Sequence, residues 1–305
     1  MQVRMVPYTD IDKKKWDQCI TTAVNRLIYS QSFYLDAMAG EWDALVLGDY
    51  IAVMPLTFKK KFGIKYLYQP PFIQQLGIFS VNDISSEICS LFEEQLLKVC
   101  NFAEISLNYQ NIQGDWKSAT KERVNFLLDL NRPYEELRIN YRQKFSQNLR
   151  SVKKFELLYL TSENFNAAID YYEIEYGKRL KNFDKSAYTN LKKVCNYLDS
   201  KGNILTREVY SAKNALLAGV VLMRDAKRLY NIIPFTTAEG KKLKANDFMY
   251  DNIIQEFAGK DYLLDLEGSD VKGIANFYKK MNPVNQPYLF LKFNNLHPLI
   301  KIIKK

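Results

Sequence analysis

The apolar residues of this chain recur with the two-residue period of strands in some segments and with the longer period of helices in others. The most informative segment runs from Leu263 to Asn282. Asp265 and Glu267 alternate there with leucines, which predicts a strand that ends on two acidic side chains. After a turn at Gly268, apolar residues lie at the spacing of one helical face: Ile274, Phe277, Tyr278 and Met281. A junction from strand to helix is where α/β folds place ligands.

The remaining pattern predicts two similar series of elements. The first half reads as a strand, two helices, three strands, a helix and two strands, and the second half repeats this order with one more helix before its last strand. Asn131 and Pro133 separate the two series. We therefore predict an α/β protein, with an α+β mixed sheet in each of two tandem domains at 1–131 and 132–305. The second domain holds the candidate site.

Composition and cysteine usage exclude several classes of protein. The 305 residues are 47% hydrophobic and 25% charged, which is typical of a globular protein. The four cysteines lack metal-binding spacing, and a single histidine, His297, argues against a Ser-His-Asp triad or a multi-histidine metal site. We expect no metal. The N-terminal residues lack the apolar region of a signal peptide, and no apolar run approaches the roughly 20 residues of a membrane span, so we expect a cytoplasmic protein.

The charge of the chain favours an anionic partner. Its net charge is +9 and its pI is about 9.1, and the lysines lie in small groups along the sequence. A phosphate-bearing small molecule, a tRNA and a membrane surface contacted peripherally all fit this charge, whereas a single lysine group is also typical of an ordinary solvated surface.

Two segments resemble those of one family. The segment 265–281, DLEGSDVKGIANFYKKM, resembles the last block of the FemAB-like acyltransferases, a branch of the GNAT (GCN5-related N-acetyltransferase) superfamily. Tyr278 matches the tyrosine of a helical motif of that superfamily, while Asn282 and Pro283 stand where the motif has Gly-Phe. The segment 140–157, NYRQKFSQNLRSVKKFEL, resembles the start of the second domain of the family. The resemblance implies a doubled GNAT fold that transfers an acyl or aminoacyl group to an amine on a small molecule, a sugar or a cell-wall precursor.

Three acidic or hydroxyl side chains are the candidate catalytic residues. Glu267, at the end of the predicted strand, is the candidate base that deprotonates an acceptor amine. Asp265 lies two residues back on the same predicted face, where a second carboxylate would raise the pKa of Glu267. The resemblance implies that Tyr278 protonates a departing thiolate. The alternative for all three is a structural role in a core strand and an amphipathic helix.

The resemblance also implies a donor site before the helix predicted to begin at Ala245. GNAT enzymes bind the CoA pyrophosphate on backbone amides of this loop, here 236–247, because the start of a helix offers free N–H groups. Ala245 fits the family pattern, whereas Leu243 and Gly240 replace residues of that pattern. The candidate cofactor-binding residues are Lys241, Lys242, Lys244, Ala245 and Asn246. Lys279 resembles a family lysine that meets phosphate.

Two donors and two functions stay open at this point. The donor is either an acyl-CoA, held by the 241–246 loop, or an aminoacyl-tRNA, contacted by the basic helix predicted at 134–154. The alternative to an enzyme is a non-catalytic doubled GNAT module that binds a nucleotide-linked ligand or tRNA. A fold does not by itself distinguish an enzyme from a binding module.

Overall fold

A computed structural model of the protein describes residues 2–61, 63–177, 183–267 and 271–297. Its strands are β1 (Val3–Val6), β2 (Asp43–Leu47), β3 (Ala52–Leu56), β4 (Phe58–Lys61), β5 (Ile64–Tyr68), β6 (Phe79–Ser80), β7 (Phe102–Ser106), β8 (Ala119–Arg123), β9 (Phe126–Asp129), β10 (Leu158–Ser162), β11 (Ile204–Tyr210), β12 (Leu216–Arg224), β13 (Arg228–Thr236), β14 (Leu263–Asp265), β15 (Val284–Asn285) and β16 (Tyr288–Asn294). Its helices are α1 (Lys13–Thr22), α2 (Ser32–Ala39), α3 (Ser86–Val99), α4 (Tyr134–Ile139), α5 (Gln143–Val152), α6 (Phe165–Tyr176), α7 (Lys185–Asp199), α8 (Ala238–Leu243), α9 (Ala245–Phe257) and α10 (Lys272–Tyr278).

The chain divides into two compact units whose bounds differ from the predicted ones. The first unit runs to Arg123 and takes in the chain again from Pro287, and the second unit runs from Val124 to Gln286. The predicted division at 1–131 and 132–305 stays a prediction, and the compact units differ from it at 124–131 and at 287–305. Strand β9 pairs with β14 in the second unit, and β16 pairs with β7 and β8 in the first. Neighbours in sequence are usually neighbours in a sheet, and this chain departs from that tendency at β16.

The first unit contains two sheets. Their strand orders are β1-β2-β3-β6 and β4-β5-β7-β16-β8. Strands β3 and β4 are separated at Thr57, which is fully buried and donates its hydroxyl to the Tyr68 carbonyl at 2.6 Å. The residues before Thr57 enter one sheet as β3 and those after it enter the other as β4.

The second unit is built on one mixed sheet with the order β10-β11-β12-β13-β14-β9-β15. Strands β13 and β14 are parallel, and the other pairs are antiparallel. Helix α9 buries Tyr250, Ile253 and Ile254 in the same hydrophobic cluster as β12 and β13. The cluster also takes in apolar residues of α5, so α5 and α9 share one core with the sheet.

The parallel strands β13 and β14 stay paired over only three residues. Arg228–Tyr230 pair with Leu263–Asp265, and β13 then continues to Thr236 while the chain after β14 follows β9, with the Leu266 amide donating to the Phe126 carbonyl at 2.9 Å. The register between β12 and β13 shifts just past Asn231, and this shift is a β-bulge. We call the divergence between Asn231 and the residues Leu266 and Glu267 the fork.

Two predicted segments have a different local structure. The basic helix predicted at 134–154 is interrupted after Ile139 and forms α4 and α5. The donor loop predicted at 236–247 is mostly the short helix α8, whose cap is Thr237, with a hydroxyl that accepts from the Gly240 amide at 2.9 Å. A Cβ on Gly240 would lie 2.0 Å from the Leu217 carbonyl oxygen, so this helix packs against β12 at a distance that only glycine allows.

The turn predicted at Gly268 lies outside the described residues. None of the helices in the described ranges is both long and apolar enough to cross a membrane.

Candidate active site

The Glu267 carboxyl group is the most unusual polar group at the fork. The residue adopts a left-handed backbone conformation, with φ of 55°, two residues after the end of β14. The side chain as a whole is half-buried, but its Oε1 atom is shielded from solvent and has no hydrogen-bond partner in the part of the chain that the structure describes. This burial raises the pKa of Glu267 to about 8. The carboxyl group can therefore gain and lose a proton near neutral pH, as a general base must.

Asp265 does not have the environment that the sequence analysis expected. Its carboxylate is 1% exposed and pairs with Arg228, whose Nη1 lies 2.7 Å from Oδ2. The other oxygen, Oδ1, accepts the Glu267 backbone N–H at 3.1 Å. Because Asp265 is neutralised by Arg228, the raised pKa of Glu267 comes from burial and not from a neighbouring carboxylate. The left-handed turn at Glu267 also ends the strand alternation on which the shared face was predicted.

Tyr278 lies at the C-terminal end of α10 and is 5% exposed. Its hydroxyl accepts a hydrogen bond from Asn231 Nδ2 at 2.8 Å, and the Tyr250 hydroxyl donates to Asn231 Oδ1 at 2.9 Å. Burial is the main reason why the pKa of Tyr278 is raised above its ordinary value, and the nearby Glu267 charge raises it further, against the opposing effect of the hydrogen bonds. Tyr278 therefore keeps its proton at neutral pH and has it available for donation.

The fork thus brings together two of the three predicted catalytic side chains. Glu267 approaches from the end of β14 and Tyr278 from α10, close enough for the Glu267 charge to affect the hydroxyl. Asn231 and Tyr250 form a buried polar cluster with Tyr278, and their part in it was not predicted from the sequence. The available signal was Asn231 itself, because it is a polar residue inside the apolar run of β13. With these two groups, the site can accept one proton at the Glu267 carboxylate and donate another from the Tyr278 hydroxyl.

The predicted donor-binding residues lie at the junction of α8 and α9. Lys241 and Lys242 are exposed on α8, and Lys244, in a left-handed conformation, donates from Nζ to the Ser151 hydroxyl of α5 at 2.8 Å. Ala245 is fully buried, and the Asn246 side chain accepts a hydrogen bond from the Thr236 hydroxyl. Lys241 and Lys242 are thus accessible to an anion, whereas the three residues that follow Leu243 are buried or hydrogen-bonded within the protein.

Helix α9 connects this junction with the fork. Asn246 and Tyr250 are four residues apart and lie on one face of α9, one turn of about 5 to 6 Å along the axis.

Lys279 follows Tyr278 and is exposed, with Nζ 5.8 Å from the centre of the Phe126 ring. The next residue, Lys280, is paired with the buried Asp247 of α9 at 3.2 Å. Of these two neighbouring lysines, Lys279 is the one whose charge faces solvent and can meet a phosphate. In the described ranges, no group of three or more histidine, cysteine or acidic side chains is arranged to hold a metal ion.

The chain has no match among the sequences compared, whereas its structure is similar to several solved structures. No protein-family model matches the sequence, and no curated protein matches it. The structure is similar to that of FemX, with a TM-score of 0.63 and 12% identity over 100% of both chains. It is also similar to the C-terminal domain of a putative lysylphosphatidylglycerol synthetase from Agrobacterium fabrum, with a TM-score of 0.59 and 10% identity over 96% of both chains.

A third similar structure is that of a tandem GNAT protein from the clavulanic acid biosynthesis pathway. The TM-score is 0.51 and the identity is 11%, over 97% of this chain and 99% of that one. Identities this low establish the fold alone. The chain has the FemAB-like form of the GNAT fold in two tandem domains, which confirms the predicted fold class.

Proposed function

We propose that the protein is an acyl- or aminoacyltransferase that transfers its acyl group to an amine. The observation that carries the proposal is the buried Oε1 atom of Glu267, which has no hydrogen-bond partner in the described structure, on a carboxyl group with a pKa of about 8. The charge of this group is near enough to Tyr278 to raise the pKa of its hydroxyl. Burying a polar atom without a hydrogen bond costs free energy, so such an atom is expected to have a function that compensates for this cost. An incoming amine supplies the missing hydrogen-bond donor.

The reaction begins with proton removal by Glu267. As the amine nitrogen forms its bond to the acyl carbonyl carbon, the Glu267 carboxylate takes the N–H proton, and a tetrahedral intermediate results. The bond from carbon to the leaving sulfur or oxygen then breaks, and Tyr278 donates its hydroxyl proton to the leaving atom. Glu267 returns its proton to the Tyr278 phenolate, so the site regains its starting protonation and the products are an amide and a thiol or alcohol.

The environment of Tyr278 suits an oxygen leaving group better than a sulfur one. A phenol whose pKa is raised is a weak acid, and proton transfer is most effective when the acceptor is the stronger base. A ribose alkoxide leaving from an aminoacyl ester is a much stronger base than a thiolate, whose pKa is about 8.5 in a free cysteine. This contrast favours aminoacyl-tRNA over acyl-CoA as the donor, and acyl-CoA remains the second candidate.

The basic residues support a phosphate-bearing donor of either kind. Lys241 and Lys242 on α8 and Lys279 beside the fork are exposed, and the exposed cations of α4 and α5 extend the same charge: Arg138, Arg142, Lys144 and Arg150. We propose that these residues bind donor phosphates, with Ala245 and Asn246 at the start of α9. The acceptor class in the proposal is an amine on a small molecule, a sugar or a cell-wall or lipid precursor.

A two-stage experiment tests the proposal. A thermal-shift screen with CoA, acetyl-CoA, UDP-sugars and bulk tRNA first selects the donor class, because a ligand that binds the folded state raises the melting temperature. Transfer of a labelled acyl group from that donor to a panel of amines is then measured for the wild type and for Glu267→Gln. The matched control is Glu163→Gln, since Glu163 is an exposed glutamate on the same unit.

We expect transfer by the wild type and the Glu163 variant, and a loss of about a hundredfold or more in the Glu267 variant. Binding of a donor without transfer to any amine would instead support the non-catalytic module. Equal transfer by the Glu267 and Glu163 variants would exclude Glu267 as the base.

A further inference from the structure

The backbone conformation of Glu267 needs an external constraint. With φ of 55°, the residue is in the left-handed region, which is unfavourable for a side chain that has a Cβ atom. A glutamate has no local hydrogen bond that favours this region, unlike asparagine or aspartate. Since the direction of the carboxyl group depends on this conformation, whatever stabilises it also sets the position of the proposed base.

Asp265 provides that constraint through a hydrogen bond to the main chain. Its Oδ1 accepts the Glu267 N–H at 3.1 Å, an aspartate contact two residues along its own chain that stabilises a tight turn. The accepting carboxylate is 1% exposed, and the contact itself is partly buried.

Arg228 fixes Asp265 from the neighbouring strand. Its Nη1 contacts Asp265 Oδ2 at 2.7 Å and its Nη2 donates to Gln286 Oε1 at 3.1 Å. The backbone N–H of Gln286 in turn donates to the Asn125 carbonyl at 2.8 Å. One connected set of buried contacts thus runs from the chain beside β9 through Arg228 and Asp265 to the Glu267 backbone.

We infer that Asp265, held by Arg228, is a positioning residue that keeps Glu267 in its left-handed conformation and so aims the Glu267 carboxyl group into the fork. This inference rests on the proposed transferase function. It gives the buried ion pair a role in fixing one local backbone conformation. Stability alone does not explain the pair, since buried ion pairs are often replaceable by apolar residues without loss of stability.

Two double variants separate positioning from stability. Arg228→Met with Asp265→Asn and Arg228→Met with Asp265→Leu both remove the buried charges and retain similar volumes. Only the asparagine variant keeps an oxygen that can accept the Glu267 N–H. The first measurement is hydrogen exchange of the Glu267 backbone amide by NMR, which reports the contact without any substrate. The second is kcat and KM for the donor and acceptor identified in the transfer assay.

We expect the Glu267 amide to exchange about tenfold or more faster in the leucine variant than in the asparagine variant, as for an amide that has lost its hydrogen bond. In the leucine variant we also expect kcat to fall by about tenfold to a hundredfold with little change in KM, the usual consequence of a displaced catalytic group. Equal exchange and equal kcat in the two folded double variants would overturn the inference and leave Asp265 a purely structural residue.

A single variant covers the case in which the leucine variant does not fold. Asp265→Glu keeps the negative charge for Arg228, but its longer side chain cannot make both contacts. It should therefore repeat the loss of amide protection and of kcat, and wild-type behaviour in both measurements would contradict the inference. If amide protection depends on Asp265 but Glu267→Gln transfers at the wild-type rate, the proposed function fails while the positioning contact remains.

Discussion

The burial of Glu267 predicts a specific dependence of folding stability on pH. Its pKa is about 8 in the folded protein, against an ordinary value of 4.5. Between these two values the folded state holds a proton that the unfolded state has released, so the free energy of unfolding decreases as pH rises. One pKa unit corresponds to about 1.36 kcal/mol, so the total decrease from this group is on the order of 4 to 5 kcal/mol between about pH 4.5 and pH 8.

Glu267→Gln removes this titration while keeping the shape of the side chain. Glutamine is neutral at every pH in this range, as is the buried carboxylic acid that it replaces. Below about pH 4.5 the variant and the wild type should therefore have similar stability, and near pH 8 the variant should be more stable by several kcal/mol. Removing the proposed catalytic base is therefore expected to stabilise the protein at the pH where that base would act, which is a trade-off between stability and activity.

Urea unfolding at a series of pH values measures this difference. The three tryptophans, Trp16, Trp42 and Trp116, all lie in the first unit, so fluorescence follows that unit while far-UV circular dichroism follows both. The control Glu163→Gln should retain the pH dependence of the wild type. Stability curves of Glu267→Gln and the wild type that run parallel from about pH 4.5 to pH 8 would refute the raised pKa and, with it, the base assignment.

Three further predictions concern activity and donor binding. The kcat/KM of the wild type should rise with pH to a midpoint near 8, where Glu267 loses its proton, and a profile flat across about pH 6 to 9 would contradict this. Tyr278→Phe keeps the ring but removes the proton donor, so kcat should fall by about a hundredfold, and an unchanged kcat would exclude this role. The free energy of unfolding in urea should also fall by about 1 to 3 kcal/mol, because the buried Asn231 amide loses its acceptor. Replacing the three lysines of the 241–244 segment with alanine should weaken donor binding at least about tenfold in calorimetry, or about 1.4 kcal/mol. Alanine at the exposed Lys201 and Lys213 is the matched control, and equal affinities in the two variants would exclude the segment.

Local sequence patterns predicted the elements that build the fork. Strands β11, β12 and β13 and helix α9 occur in the predicted order, and α9 begins at Ala245 as predicted, because each element is long and bounded by turn residues. The short connection from β14 to α10 made it reasonable to expect Glu267 and Tyr278 in one place. These features depend on residues close together in the chain, which is why sequence alone was sufficient for them.

Features that depend on distant residues were not predictable in the same way. Arg228 pairs with Asp265 across 37 residues, and the pairing follows from the parallel register of β13 and β14, which periodicity does not specify. The place of β16 in the first unit was unpredictable for the same reason, since an alternating pattern identifies a strand but does not specify the strand with which it pairs. Lysines at 241–244 suggested an exposed loop, whereas the Thr237 cap and the close contact at Gly240 produce helix α8.

The short register between β13 and β14 explains why a polar cluster occurs at this point in an apolar sheet. Pairing ends with Tyr230 opposite Asp265, so Asn231 is the first residue of β13 past the end of β14. Its amide nitrogen donates to Tyr278 and to the Leu266 carbonyl, and its oxygen accepts from Tyr250, so each polar atom of this side chain is satisfied. Glu267 Oε1, whose group is near enough to affect Tyr278, is without a partner in the described structure. Because the neighbouring buried polar groups are hydrogen-bonded, we propose this carboxyl oxygen as the position where a substrate amine binds.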